Sequence, residues 1–171
     1  MRRAGWLAGG GLVAIVLAAL GWGLAHPANP AEGTIIGRAA PEITVQSLDG
    51  ATVRLSDLRG QPVVVNFWAS WCAPCRQEEG ALKQAAANHG GVRFLGVDIL
   101  DSPAAARAYQ AEVHYPYPVG PAGDASVTAF GVKAPPQTFF IDGHGTVVAS
   151  FLGPLDLPVI DRYLQLVGVA R

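Results

Sequence analysis

Cysteine is nearly absent from this 171-residue chain: Cys72 and Cys75 are the only two. A framework of structural disulfides is therefore excluded, and the chain-entropy argument says the same of the pair itself. A four-residue loop restricts the unfolded chain by only about 2 kcal/mol, against nearly 5 for a loop of roughly a hundred residues. A bridge between these two is placed for chemistry. A structural zinc site needs four ligands, and His26, His89, His114 and His144 are scattered, with no pair at ligand spacing. Basic excess is missing too. The formal net charge is −1, and Arg2 and Arg3 supply two of the twelve basic residues. With no basic footprint, nucleic acid is not an expected partner. Blocks of like charge and repeats of about 20–50 residues are also absent. The length suits one domain with a short appendage, and a body of roughly 130–140 residues buries enough surface to fold without a staple.

Charge is wholly missing from Trp6 to Ala25, directly after Met1-Arg2-Arg3. Twenty helical residues rise about 30 Å, the thickness of a bilayer's hydrocarbon core, and the arginines favour a cytoplasmic N-terminus. Residues 1–25 are thus expected to form a transmembrane signal anchor, with Trp6 and Trp22 near its two interfaces. A cleaved signal peptide ending near Gly23-Leu24-Ala25 is the alternative, and its product would be an exported soluble protein. Both readings put the remainder outside the cytoplasm. Residues 26–37, rich in Pro, Ala, Gly and Asn, read as a tether, and residues 38–171 as one domain.

Within that domain the pattern is mixed α/β. Ile43 and Val45, the Asp49-Gly50 turn, then Val53 and Leu55 predict a β-hairpin. Ser56 to Gly60 reads as a short turn with helical character. Pro62–Trp68 is a continuous apolar run, as in a central strand buried on both faces. A helix is expected from Cys72 to about Asn88, a strand over Val92–Val97, and a helix opened by Ser102-Pro103. A short helix over Asp124–Phe130 stops at Gly131. Strands over Gln137–Ile141 and Val147–Phe151 form a second hairpin, and Asp156 caps a last helix ending near Val167.

Two cysteines at i and i+3 share one helix face and lie within disulfide reach. In a first helical turn the free N–H groups and the dipole stabilise a thiolate, lowering its pKa below the free value of about 8.5. Cys72, the nearer to the preceding strand, is expected to be exposed and to attack. Cys75 is expected to be buried and to resolve the mixed disulfide.

The run from Val63 through Trp68-Ala69-Ser70-Trp71-Cys72-Ala73-Pro74-Cys75 to Glu78 resembles the active-site strand and helix of the TlpA/ResA/CcmG (DsbE) thioredoxins. Sixty residues on, Gly131 to Asp142, with Ala134-Pro135-Pro136-Gln137-Thr138, is similar to that family's cis-proline segment. The resemblance covers residues 36–168. It implies a thioredoxin-like α/β fold, a central mixed β-sheet flanked by helices with an added N-terminal β-hairpin, behind one transmembrane helix. It makes Pro136 the cis-proline beside the redox pair; Pro135 before it departs from the family pattern. It gives Glu78 a proton-transfer role beside Cys75, against the plainer reading of an exposed carboxylate favourable to the helix dipole. Glu79 is expected to face solvent. Asn66 stands where cytoplasmic thioredoxins carry a buried acid. Trp71 is expected to pack beside the pair and shield it, and Ala73, Pro74 and Pro135 join it as substrate-binding candidates.

The activity implied is extracytoplasmic thiol–disulfide exchange at a bacterial inner membrane, with no cofactor beyond the Cys72–Cys75 disulfide and no metal. The partners implied are protein disulfides, apocytochrome c during cytochrome c maturation first among them, and a membrane electron donor of the CcdA or DsbD type. An oxidant that introduces disulfides into exported proteins is the main alternative. A peroxiredoxin shares the hairpin and Asp57-Leu58-Arg59-Gly60, but wants Thr or Ser where Ala69 stands, three residues before Cys72.

Overall fold

The computed structural model describes residues 35–169. The expected anchor over 1–25 lies outside them, as does the expected tether up to residue 34. Its last three residues, 35–37, belong to the fold: Gly37 N–H donates to the Val147 carbonyl at 2.7 Å, and Val147 N–H donates to the Arg38 carbonyl at 2.9 Å. Among the described residues no helix is long and apolar enough to cross a membrane.

Thr44–Gln46 (β1) and Thr52–Arg54 (β2) form the expected antiparallel hairpin. Its turn is closed by Asp49, whose Oδ1 accepts from Ala51 N–H at 3.1 Å, an Asx turn that needs no distant partner. A 3₁₀ turn occupies Leu55–Leu58. There follow β3 (Val63–Trp68), α1 (Ala73–Asn88), β4 (Arg93–Asp98), α2 (Pro103–Val113), β5 (Val119–Pro121), α3 (Asp124–Phe130), β6 (Gln137–Ile141), β7 (Val147–Leu152) and α4 (Leu157–Leu166). The main sheet has the order β5-β4-β3-β6-β7. Pairing is parallel from β3 through β4 to β5, and antiparallel at β3–β6 and β6–β7. Only β5 was not expected. Its three residues sit among prolines and read as loop, but a short strand at the edge of the main sheet tolerates proline.

All six residues of β3 are buried, and their alternation divides the interior into two cores. Val64 and Trp68 join the core that holds Leu82 of α1, Tyr109 of α2 and Ile160 of α4. Val63, Val65 and Phe67 join Val45 of the hairpin and Phe130 of α3. Trp68 stacks on Tyr109 with ring centroids 4.8 Å apart. Gly96 on β4 makes room for it: a Cβ there would sit 2.5 Å from Val119 Cγ1 and 3.1 Å from Trp68 Nε1. Truncating a buried aromatic of this size costs about 3–5 kcal/mol. On the outer edge the hairpin is docked against β5, with Leu48 N–H donating to the Val119 carbonyl at 2.8 Å. Gly120 permits that approach, since a Cβ there would lie 2.0 Å from the Gln46 carbonyl oxygen.

Parallel β3 and β4 end side by side, Trp68 opposite Asp98. Carboxyl ends of parallel strands are where open α/β sheets place their sites. The loops leaving these two ends are tied together. Asp101 accepts from Ser70 N–H at 2.6 Å and from Ser70 Oγ at 2.8 Å, and Ile99 N–H donates to the Trp68 carbonyl at 2.9 Å.

Candidate active site

Cys72 and Cys75 are joined by a disulfide, their Cα atoms 5.3 Å apart. Cys72 is the N-cap residue of α1, with extended backbone, and its Sγ accepts from Cys75 N–H at 3.2 Å. Pro74 in the first turn fits because N–H groups there have no intrahelical acceptor. When the pair is reduced, a Cys72 thiolate in this place receives a charge-assisted hydrogen bond at the positive end of a sixteen-residue helix.

The expected contrast of an exposed Cys72 and a buried Cys75 is corrected. The two residues are 3% and 0% exposed, so both are buried. Trp71 is corrected in the opposite sense. It is 59% exposed and does not cover the pair. Ser70 is pinned to Asp101, so the next residue turns outward, and the Trp71 indole N–H donates to the Leu100 carbonyl at 3.1 Å. Ala73 and Pro74 are exposed at the start of α1.

Glu78 follows Cys75 by three residues on α1 and is 1% exposed. Its Oε1 accepts from Asn66 Nδ2 at 2.8 Å and its Oε2 from Leu155 N–H at 3.0 Å. Burial raises the carboxyl from 4.5 to about 7, and the two hydrogen bonds oppose that rise. The plainer reading, an exposed glutamate on the first turn, does not hold. Asn66 Nδ2 also donates to Thr138 Oγ1 at 3.0 Å. One amide on β3 thus joins the acid on α1 to β6, two residues beyond Pro136. The Pro135–Pro136 peptide bond is cis. Pro136 is buried, with its carbonyl accepting from Gly153 N–H at 2.9 Å, and Gln137 Oε1 holds Lys133 N–H at 2.8 Å.

Glu79 does not simply face solvent. Tyr109 OH donates to its Oε1 at 2.5 Å, while the Arg76 guanidinium lies 4.7 Å above the Tyr109 ring and pairs with Glu112 at 2.7 Å. Leu155, Asp101 and Tyr109 had no local signal. Each meets the site across 30 or more residues of sequence, and only the tertiary fold brings it there. Among the described residues no group of three or more His, Cys, Asp or Glu is placed to hold a metal ion.

Beside the pair runs a groove of about 610 Å³, lined among others by Trp71, Asp98, Leu100, Asp101 and Pro135. Trp71 immediately precedes Cys72, and Pro135 immediately precedes Pro136. The groove therefore flanks both segments of the expected exchange site.

Residues 36–150 match the AhpC/TSA family. The chain is 37% identical over 141 residues to the thiol:disulfide interchange protein DsbE homolog of Paracoccus denitrificans, covering 79% of this chain and 76% of that protein. It is 29% identical over 133 residues to the thiol-disulfide oxidoreductase ResA of Bacillus thuringiensis, covering 76% and 77%. The crystal structure of a thiol:disulfide interchange protein of the thioredoxin family from Chlorobium tepidum superposes with a TM-score of 0.70 at 26% identity. That match covers 81% of this chain and 99% of the other. The fold is thioredoxin-like, with a mixed sheet and an N-terminal hairpin.

Proposed function

The chain belongs to the AhpC/TSA family and is a thiol–disulfide oxidoreductase, and we propose that it works outside the cytoplasm as a reductant of disulfides in exported or membrane-tethered proteins. The observation that carries the exchange chemistry is a buried carboxyl, raised to about 7 and one helical turn from a cysteine whose disulfide partner caps the helix, and the likeness to DsbE and ResA proteins supports the reductive direction. Such an acid takes and returns a proton at neutral pH, as exchange at a buried thiol requires.

The Cys72 thiolate attacks one sulfur of the substrate disulfide. A Cys72–substrate bond forms, and the other substrate sulfur leaves as a thiolate. Glu78 accepts the proton of the Cys75 thiol, and the Cys75 sulfur attacks Cys72. The substrate's second sulfur is released, and Cys72–Cys75 is left oxidised. Two electrons have passed to the substrate, and the pair must be reduced again for another turnover. We assign that step to a membrane electron donor of the CcdA or DsbD type. Apocytochrome c, through its haem-binding cysteine pair, is the favoured substrate; the likeness to ResA and DsbE proteins supports this choice. Trp6 to Ala25 would hold the domain at the outer face of the bacterial inner membrane, supported by their lack of charge behind Arg2 and Arg3.

The test is capture. Cys75→Ser removes the resolving thiol, so the mixed disulfide on Cys72 persists and can be isolated from the native host. Apocytochrome c is the protein expected there, and consistent recovery of another protein removes the cytochrome reading. A reduction potential near −270 mV supports the reductant, and one around −120 mV makes the protein an oxidant.

A further inference from the structure

Asp98 takes no part in the exchange chemistry, and its situation is unusual. It ends β4 and is 6% exposed. Among the described residues its carboxylate has no hydrogen-bond or ion-pair partner. Asp98 is one of the residues that line the groove, with Trp71 and Pro135. A largely buried carboxylate without a protein partner is poorly solvated, and burial together with the charge of Asp101 pushes its pKa up to about 6. The other carboxylates of the groove are already employed. Asp101 binds Ser70 and the backbone of Ser102, and Asp124 sits in the first turn of α3, where the dipole favours it. Three acidic residues line the groove against one lysine, Lys133.

The rim of the groove is apolar. Leu100 is 83% exposed, close to Trp71 at 59%, and its backbone is left-handed at φ 55°. A leucine in that region is strained, and strain of this kind gathers where a chain meets its ligand. An acid on the floor beneath an apolar rim matches a side chain with a hydrocarbon stem and a charged head.

We infer that Asp98 forms the floor of a specificity subsite for a lysine or arginine side chain close to the exchanged disulfide of the protein substrate, with its stem against Trp71 and Leu100. The inference rests on the proposed action on protein disulfides, since it names which of them are preferred. Charge complementarity carries it: a cation entering the groove gives Asp98 the partner the fold withholds.

The test uses the full chain in detergent and two peptide probes that differ only in lysine or norleucine at the position following a cysteine held in a disulfide with glutathione. A second pair carries the residue before that cysteine. Serine versions of all four measure affinity without chemistry. In the better-placed pair, the lysine peptide should bind and react about tenfold better than its norleucine twin, the size of one charge-assisted hydrogen bond. In Asp98→Asn that ratio should fall to about one. Equal affinities for lysine and norleucine in the unaltered protein overturn the inference, whatever the variant does. A tenfold ratio that survives in both Asp98→Asn and Asp98→Ala also overturns it, because the charge is then read elsewhere. Lysine preference in binding, lost in Asp98→Asn but without exchange on any peptide, supports the subsite and sinks the proposed reductant instead.

Discussion

Glu78 and Asp98 are both buried acids, 1% and 6% exposed, and burial raises both, to about 7 and about 6. Their surroundings differ. Glu78 is gripped at both oxygens, by Asn66 and by the backbone of Leu155. Asp98 has no such grip and lines a groove. The same cost of burial therefore supports two ends. Beneath the disulfide, an acid with every bond supplied by the protein can gain and lose a proton without moving. At the groove, an acid without protein partners is the one proposed to meet a cation from outside.

Changing each acid to its amide is the sharpest way to break that comparison. Glu78→Gln should lower the exchange rate at pH 7 by about 100-fold, the usual worth of a positioned base, and remove the inflection near pH 7 from the pH–rate profile. Its stability should change as well. Because the folded pKa is raised above 4.5, the folded state holds the extra proton between about 4.5 and 7. Glu78's contribution is fully present below the lower value and is lost as pH rises through the upper, by roughly 3 kcal/mol. Urea melts at pH 4 and pH 8 should show this slope in the native protein and not in Glu78→Gln. Asp98→Asn should remove a separate slope, between about pH 4 and 6, while the kinetic inflection near 7 stays. An inflection that moves with Asp98, or persists without Glu78, would reverse the two roles.

A smaller effect is expected at Asn66. Asn66→Asp replaces the amide donor 2.8 Å from Glu78 with a second acid, and two adjacent carboxyls do not both ionise. The inflection should climb by at least one pH unit, costing about fivefold in rate at pH 7. The smallest effect belongs to the groove rim. Leu100→Gly relieves the left-handed backbone at the expense of glycine's entropy, for a net gain of about 0.5–1 kcal/mol. Peptide affinity should meanwhile weaken a few-fold, as apolar contact is lost.

Local rules carried the sequence reading as far as local rules reach. The hairpin, the caps at Ser102 and Asp156, the stop at Gly131 and the apolar strand through Trp68 all follow from residues within a few positions of one another. The cysteine spacing and the proline pair belong to the same class. What could not be read was contact across the chain. Leu155 reaches Glu78 over 77 positions, and Asp101 reaches Ser70 over 31; no periodicity encodes either. Trp71 was misplaced for that reason: an aromatic beside a redox pair looks like cover until the loop that turns it outward is known. Asp98 closes an apolar strand and looks like its polar end. Only the groove beside it shows otherwise.

Gly120 has a consequence beyond packing. The hairpin lies over β5 because that residue has no side chain, and the hairpin's Leu48 takes up a carbonyl of the sheet's outer strand. Any larger residue would lift the hairpin and leave a bare strand edge, the kind of surface that recruits a strand from another molecule. A single missing methyl group thus helps keep each copy of this protein from polymerising with the next.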